Sequence, residues 1–118
     1  MIKNIGTDIV DLARLKDKDE RFIKRILSDQ EFSFYQNIAN DSRKLSYLGG
    51  RFAAKEALFK AISKGNGQIN YHDFVILNDD AGKPVVISKP ALLDDMTIHV
   101  SISHSDTYAL AYVILEIN

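Results

Sequence analysis

Two carboxylates and a set of cations stand at positions where a purely structural chain would place apolar or freely solvated side chains. Asp8 lies in a run of β-branched neighbours, Ile5, Thr7, Ile9 and Val10. Aspartate is depleted in strands, and a buried carboxylate is costly without a partner. Taken alone, Asp8 reads equally well as a strand-end residue capping a turn at Asp11. Farther along, Arg51, Lys55, Glu56 and Lys60 fall within one helical segment. At ~100° per residue, Leu45, Leu48, Phe52 and Phe59 form a narrow apolar stripe that should face the core, and Lys55 and Glu56 border it rather than oppose it. Lys60 lies one turn beyond Glu56. The plain alternative is a snorkelling lysine with an i,i+4 Glu–Lys pair, worth about 0.2–0.5 kcal/mol. His104 ends the alternating face Ile98, Val100, Ile102, His104, with Ser101, Ser103 and Ser105 opposite. It is suited to a phosphate contact or to proton transfer, and equally to a half-buried bond with a backbone carbonyl.

Several chemistries are excluded by what is missing. There is no Gly-x-Ser-x-Gly elbow for a serine nucleophile. Neither a phosphate-cradling Gly-x-x-x-x-Gly-Lys-Ser/Thr loop nor a Gly-x-Gly-x-x-Gly turn is present. His72, His99 and His104 lack the spacing of a helical zinc site, and with no cysteine there is no thiolate site and no disulfide framework. The remaining donors are hard oxygens. Asp8 and Glu56 among cations suit Mg²⁺, which completes its shell with water and substrate phosphates. Arg51, Lys55 and Lys60 would then neutralise phosphate charge. Such an inventory serves phosphoryl transfer, where catalysis is mainly positioning and charge stabilisation.

These residues must be held by elements that the local pattern predicts. Residues 2–10 read as a strand, residues 19–27 as a helix, and Ser28 with Glu31 as a capping box opening another short helix. Asp41 or Ser42 can cap a long helix to about Ser63, stopped by Gly65-Asn66-Gly67. Strands are expected over residues 73–77 and 85–88 around the turn Asp79-Asp80-Ala81-Gly82-Lys83-Pro84, and a short helix from Pro90 to Asp95. Residues 98–104 and 108–117 then pair antiparallel. The outcome is an α+β fold, a long central helix packed on a small antiparallel sheet. The 118 residues, without repeat or linker, fit a single domain, 1–118. Early acidic residues and the lack of a long apolar run argue against a secretory leader or membrane span, and a net charge of −1 argues against bulk binding to nucleic acid or anionic lipid.

Three segments together resemble the holo-acyl-carrier-protein synthases, the short bacterial type of 4′-phosphopantetheinyl transferase. They are Gly6-Thr7-Asp8-Ile9-Val10-Asp11, then Arg51-Phe52-Ala53-Ala54-Lys55-Glu56-Ala57 with Lys60-Ala61, and Ser101-Ile102-Ser103-His104-Ser105 with Tyr108-Ala109. Gly82-Lys83-Pro84 resembles the family's nucleotide-side turn. The resemblance implies a cytoplasmic enzyme of fatty acid biosynthesis that moves phosphopantetheine from CoA to a serine of apo acyl carrier protein, releasing adenosine 3′,5′-bisphosphate. It implies Asp8 and Glu56 as Mg²⁺ ligands and Asp8, Glu56 and Lys60 as catalytic residues. CoA contacts would come from Arg51, Lys55, Lys60, Gly65, Gly82, Pro84 and His104. It also implies a homotrimer with active sites between subunits. Asn66 stands at the middle of the Gly-x-Gly turn, where the family resemblance leads one to expect a small β-branched or similar residue; asparagine tolerates left-handed geometry, so the turn itself is expected to survive.

If residues 13–25 are helical, Arg14, Arg21 and Arg25 share one face, at i, i+7 and i+11. The resemblance assigns this region to docking an acidic carrier helix, which would speed association and make it salt-sensitive. Interleaved Asp17, Asp19 and Glu20 also suit an ordinary solvated face. Two other readings compete with the enzyme: a non-catalytic CoA-binding module, against which the intact Asp8, Lys55 and Glu56 argue, and an adaptor that binds an acidic protein without needing Mg²⁺ or CoA.

Overall fold

The computed structural model describes residues 1–62 and 69–118. Strand β1 (Ile2–Asp11) is followed by a 3₁₀ turn (Leu12–Arg14), then helices α1 (Glu20–Ile26), α2 (Asp29–Gln36) and α3 (Asp41–Ile62). A second 3₁₀ turn (Tyr71–Asp73) leads to the ribbon β2 (Val75–Asn78) and β3 (Pro84–Ser88), and a third (Ala91–Leu93) precedes β4 (Met96–His104) and β5 (Tyr108–Ile117). The main sheet is antiparallel in the order β1-β5-β4, with β2 and β3 forming a separate pair. Its register sets Asp8 opposite Ala111 and both Val10 and His104 opposite Ala109. Asp8 therefore sits within β1, not at a strand end.

Alternation along β5 is clean: Ala109, Ala111, Val113 and Leu115 are buried, while Tyr108, Tyr112 and Ile114 are exposed. Helix α3 lies across the buried face with Ala53, Ala54, Ala57, Leu58 and Ala61 buried. The expected stripe is only its edge, since Leu48 is buried but Leu45, Phe52 and Phe59 are partly covered. Small residues occupy the centre because the backbones approach closely there. A Cβ built on Gly6 would stand 2.0 Å from the carbonyl oxygen of Ala57. Farther back along α3, Gly49 meets Leu12 and Ala109, and Gly50 meets Ile102. The helix thus passes from β4 and β5 toward β1, bringing its second half alongside Asp8.

Local chemistry explains the boundaries. Asp19 caps α1 by accepting from Phe22 N at 3.0 Å. Ser28 and Glu31 form the expected capping box, with Ser28 N donating to Glu31 Oε1 at 2.8 Å and Glu31 N to Ser28 Oγ at 3.3 Å. For α3 the cap is Asn40, whose Oδ1 accepts from Arg43 N at 3.0 Å; Asp41 and Ser42, the expected caps, already lie inside the helix. The strand expected from Asp73 starts at Val75, because Tyr71–Asp73 closes a 3₁₀ turn that Asp73 fastens to Asn70 N at 2.7 Å. In the β2–β3 turn, Asp79 Oδ1 accepts from Ala81 N and Lys83 N, both at 2.9 Å, and Gly82 takes φ +87°, a left-handed geometry that favours glycine. Pro90 opens a 3₁₀ turn over Ala91–Leu93 rather than a helix to Asp95. The Gly65-Asn66-Gly67 stop, and with it Gly65 as a CoA contact, lies outside the described residues. Among the described residues no helix is long and apolar enough to cross a membrane.

Candidate functional site

On the β1 side of α3 the structure brings together Asp8, Glu56 and Lys60. Lys60 Nζ donates to Asp8 Oδ1 at 2.9 Å and to the Thr7 carbonyl at 3.0 Å, tying the helix to the strand. The Asp8 side chain is 17% exposed, open to a ligand while anchored. Glu56, one turn before Lys60, accepts a 2.6 Å hydrogen bond on Oε2 from the Tyr71 hydroxyl. Burial and then this bond raise the Tyr71 pKa, with Asp8 acting in the same direction and Arg25 against it. The phenol thus feels both carboxylates. Among the described residues no group of three or more His, Cys, Asp or Glu could hold a metal ion. A pair of carboxylates beside a lysine fits a hard cation that draws its other ligands from water and phosphate.

A second set gathers on another side of the helix. Arg51 and Glu56 are five residues apart, ~140° of rotation, and Arg51 and Lys60 nine residues, ~180°. Arg51 donates from Nε to the Ile76 carbonyl at 3.2 Å and from Nη2 to Asn78 Oδ1 at 2.9 Å, and its guanidinium lies 4.4 Å from the Tyr47 ring centroid. A groove of about 280 Å³ is lined by Arg51, Asn78, Gly82, Pro84 and His104, with Phe34 stacked on Tyr47 at 5.0 Å. His104 is exposed there, which removes the half-buried alternative. The Arg51 guanidinium in its lining suits the groove to an anionic group. A larger cleft of about 610 Å³, beside Leu12–Lys18 and the first turns of α3, contains none of the candidate metal or phosphate residues.

A sequence model described as the 4′-phosphopantetheinyl transferase superfamily matches residues 4–113. The chain belongs to that superfamily. Among related transferases, the holo-[acyl-carrier-protein] synthase of Acholeplasma laidlawii is 47% identical over 117 residues, covering 98% of each chain. That of a Geobacillus species is 49% identical over 120 residues, with the same coverage. The crystal structure of a Bacillus anthracis holo-(acyl-carrier-protein) synthase in complex with CoA (3′,5′-ADP) superposes with a TM-score of 0.89 at 39% identity, covering 100% of this chain and 99% of that one. A Helicobacter pylori synthase in complex with coenzyme A gives 0.80 at 29% identity, over 95% and 99%.

Within this transferase, two expectations from the sequence need correction. Lys55 does not reach a phosphate: its side chain is fully buried, donating to Glu31 Oε1 at 2.5 Å and to the Ile26 carbonyl at 2.8 Å. Burial lowers its pKa, while Glu31 pulls it back up. Nor do Arg14, Arg21 and Arg25 share one helical face. Arg14 closes the first 3₁₀ turn, and α1 begins only at Glu20 behind the Asp19 cap, so just Arg21 and Arg25 are neighbours at i,i+4. All three are exposed. Sequence reasoning missed Tyr71 and Asn78, which carry no motif. It also missed the buried role of Glu31, visible only as a capping-box residue.

Proposed function

We propose that this chain is a holo-acyl-carrier-protein synthase, transferring 4′-phosphopantetheine from CoA to a serine of apo acyl carrier protein. The observation that carries the reading is the carboxylate–lysine cluster of Asp8, Glu56 and Lys60, in a chain related over nearly its whole length to such synthases. Asp8 and Glu56 would hold one Mg²⁺, which when bound supplies charge stabilisation to a pyrophosphate. Lys60, held on Asp8 with its side chain 57% exposed, would present a cation to the transferred phosphate. Arg51, Gly82, Pro84 and His104 would bind the nucleotide end of CoA in the second groove. In the transfer the serine oxygen bonds to the β-phosphorus as its bond to the bridging oxygen breaks. Adenosine 3′,5′-bisphosphate leaves, and the serine proton passes to a base in the site.

The working unit is proposed to be a homotrimer of 1–118 domains with the site between subunits, acting in the cytoplasm in support of fatty acid biosynthesis. Two features support sharing. The carboxylate cluster and the groove open on different sides of α3, so the carboxylates of one chain and the groove of the next would complete one site. The outer face of the sheet also carries Ile5, Ile9, Tyr112 and Ile114, all exposed, with Ile5 opposite Ile114 and Tyr112 opposite Thr7, between Ile5 and Ile9. Such a contiguous apolar surface suits a subunit interface. Arg14, Arg21 and Arg25 would meet the acidic carrier.

The test is the intact mass of an apo acyl carrier protein incubated with this protein, CoA and MgCl₂, with and without EDTA. The expected result is a metal-dependent gain of one phosphopantetheine group. No gain with several apo carriers would overturn the reading in favour of a CoA-binding module.

A further inference from the structure

The Tyr71 hydroxyl is held where it meets a single oxygen of Glu56. The ring is packed between α3 aromatics, 6.0 Å from the Phe52 centroid and 5.0 Å from that of Phe59. Its backbone belongs to the 3₁₀ turn fastened by the 2.7 Å bond between Asn70 N and Asp73 Oδ2, and Phe74, the next residue after the turn, is completely buried. Ring and backbone are thus fixed independently of Glu56, and the 2.6 Å bond to Oε2 follows from that placement. A carboxylate's terminal torsion is soft and roughly two-fold, so an isolated glutamate on a helix samples many orientations. A rigid donor on one oxygen selects among them.

We propose that Tyr71 is a positioning residue for Glu56, its hydroxyl holding Oε2 so that Oε1 is the oxygen offered to a divalent cation. The proposal deepens, and rests on, the reading of Asp8 and Glu56 as the metal pair. Partners that orient a metal ligand in this way typically change metal affinity by about 10–100-fold when removed. Lys60 plays the matching part for Asp8, with its ammonium on Oδ1. One organic donor per carboxylate would set the pair before the cation arrives.

Tyr71→Phe isolates the hydroxyl, because the phenyl ring keeps its packing against Phe52 and Phe59. The measurement is Mn²⁺ binding to the full chain with saturating CoA, read from the electron paramagnetic resonance signal of free Mn²⁺, with Glu56→Gln alongside. Expected are about tenfold weaker Mn²⁺ binding in Tyr71→Phe, a matching rise in the Mg²⁺ concentration for half-maximal turnover, and unchanged carrier KM and melting temperature. Wild-type Mn²⁺ affinity in Tyr71→Phe, with Glu56→Gln weakened, overturns the role of Tyr71 and leaves the metal pair standing. Unaltered affinity in Glu56→Gln overturns both. Weakened binding accompanied by a marked fall in melting temperature assigns the effect to packing and also overturns the proposal.

Discussion

Lys55 and Glu56 are neighbours in sequence, and a ~100° step around α3 gives them opposite fates. Glu56 points toward Tyr71 at the site. Lys55 enters a closed pocket where Glu31 Oε1 also accepts from Ser28 N and Glu31 Oε2 from Ile76 N. Breaking such a pair from one side leaves an uncompensated buried charge. Lys55→Met should therefore lower stability by about 3–5 kcal/mol in urea unfolding; a loss below about 1 kcal/mol would mean that Glu31 finds another partner. Replacing Glu31 with leucine as well should recover only part of that loss, because the amides of Ser28 and Ile76 would then lack an acceptor. Helical periodicity placed Lys55 correctly at the border of the apolar stripe. It could not reveal what packs opposite, since Glu31 lies 24 residues away on another helix. A buried ion pair and a phosphate-binding lysine look alike until the partner is seen.

At the scale of elements, the site depends on how closely β1 approaches α3. Gly6 lets the strand backbone rest against the Ala57 carbonyl, and Asp8 follows two residues later on the same face. In Gly6→Ala the new methyl would meet a backbone oxygen that cannot swing aside, so strand and helix must part. A stability loss of about 1–3 kcal/mol is expected. Displacing Asp8 from Glu56 should also lower kcat well beyond any change in the KM for CoA. Unaltered kcat and stability would show that the contact is not what sets the carboxylate spacing. The elements themselves were largely legible, because alternation along β5 and the Ser28–Glu31 box are local signals. Residues 15–19 misled for a physical reason. Arg14, Arg21 and Arg25 fit a helical face by spacing, but Asp19 adopts extended geometry (φ −79°, ψ 172°) and caps a new helix, a choice that arginine spacing does not encode.

At the scale of the molecule, the two halves of the candidate site diverge around α3 instead of converging. Asp8 lies on β1 and His104 on β4, with β5 between them, so the strands alone separate the two by roughly 10 Å before the helix is counted. The sequence motifs named both halves, but only the family they resemble, and nothing in their spacing or periodicity, implied that the site lies between subunits. The proposed trimer, built as a head-to-tail ring, would resolve this geometry, since each interface would then join the carboxylate side of one protomer to the groove of the next. Complementation tests it. Asp8→Ala should be inactive, and His104→Ala should lose about tenfold in kcat/KM for CoA through one charge-assisted contact. Trimers re-formed from an equal mixture should then contain about one site in four with both halves intact. Turnover should rise well above the mean of the two parents, with native mass analysis counting the mixed species. If mixed trimers form and turnover stays at that mean, both halves act within a single protomer, and the cluster at Asp8 and the groove at His104 must be bridged around α3 by one extended CoA molecule.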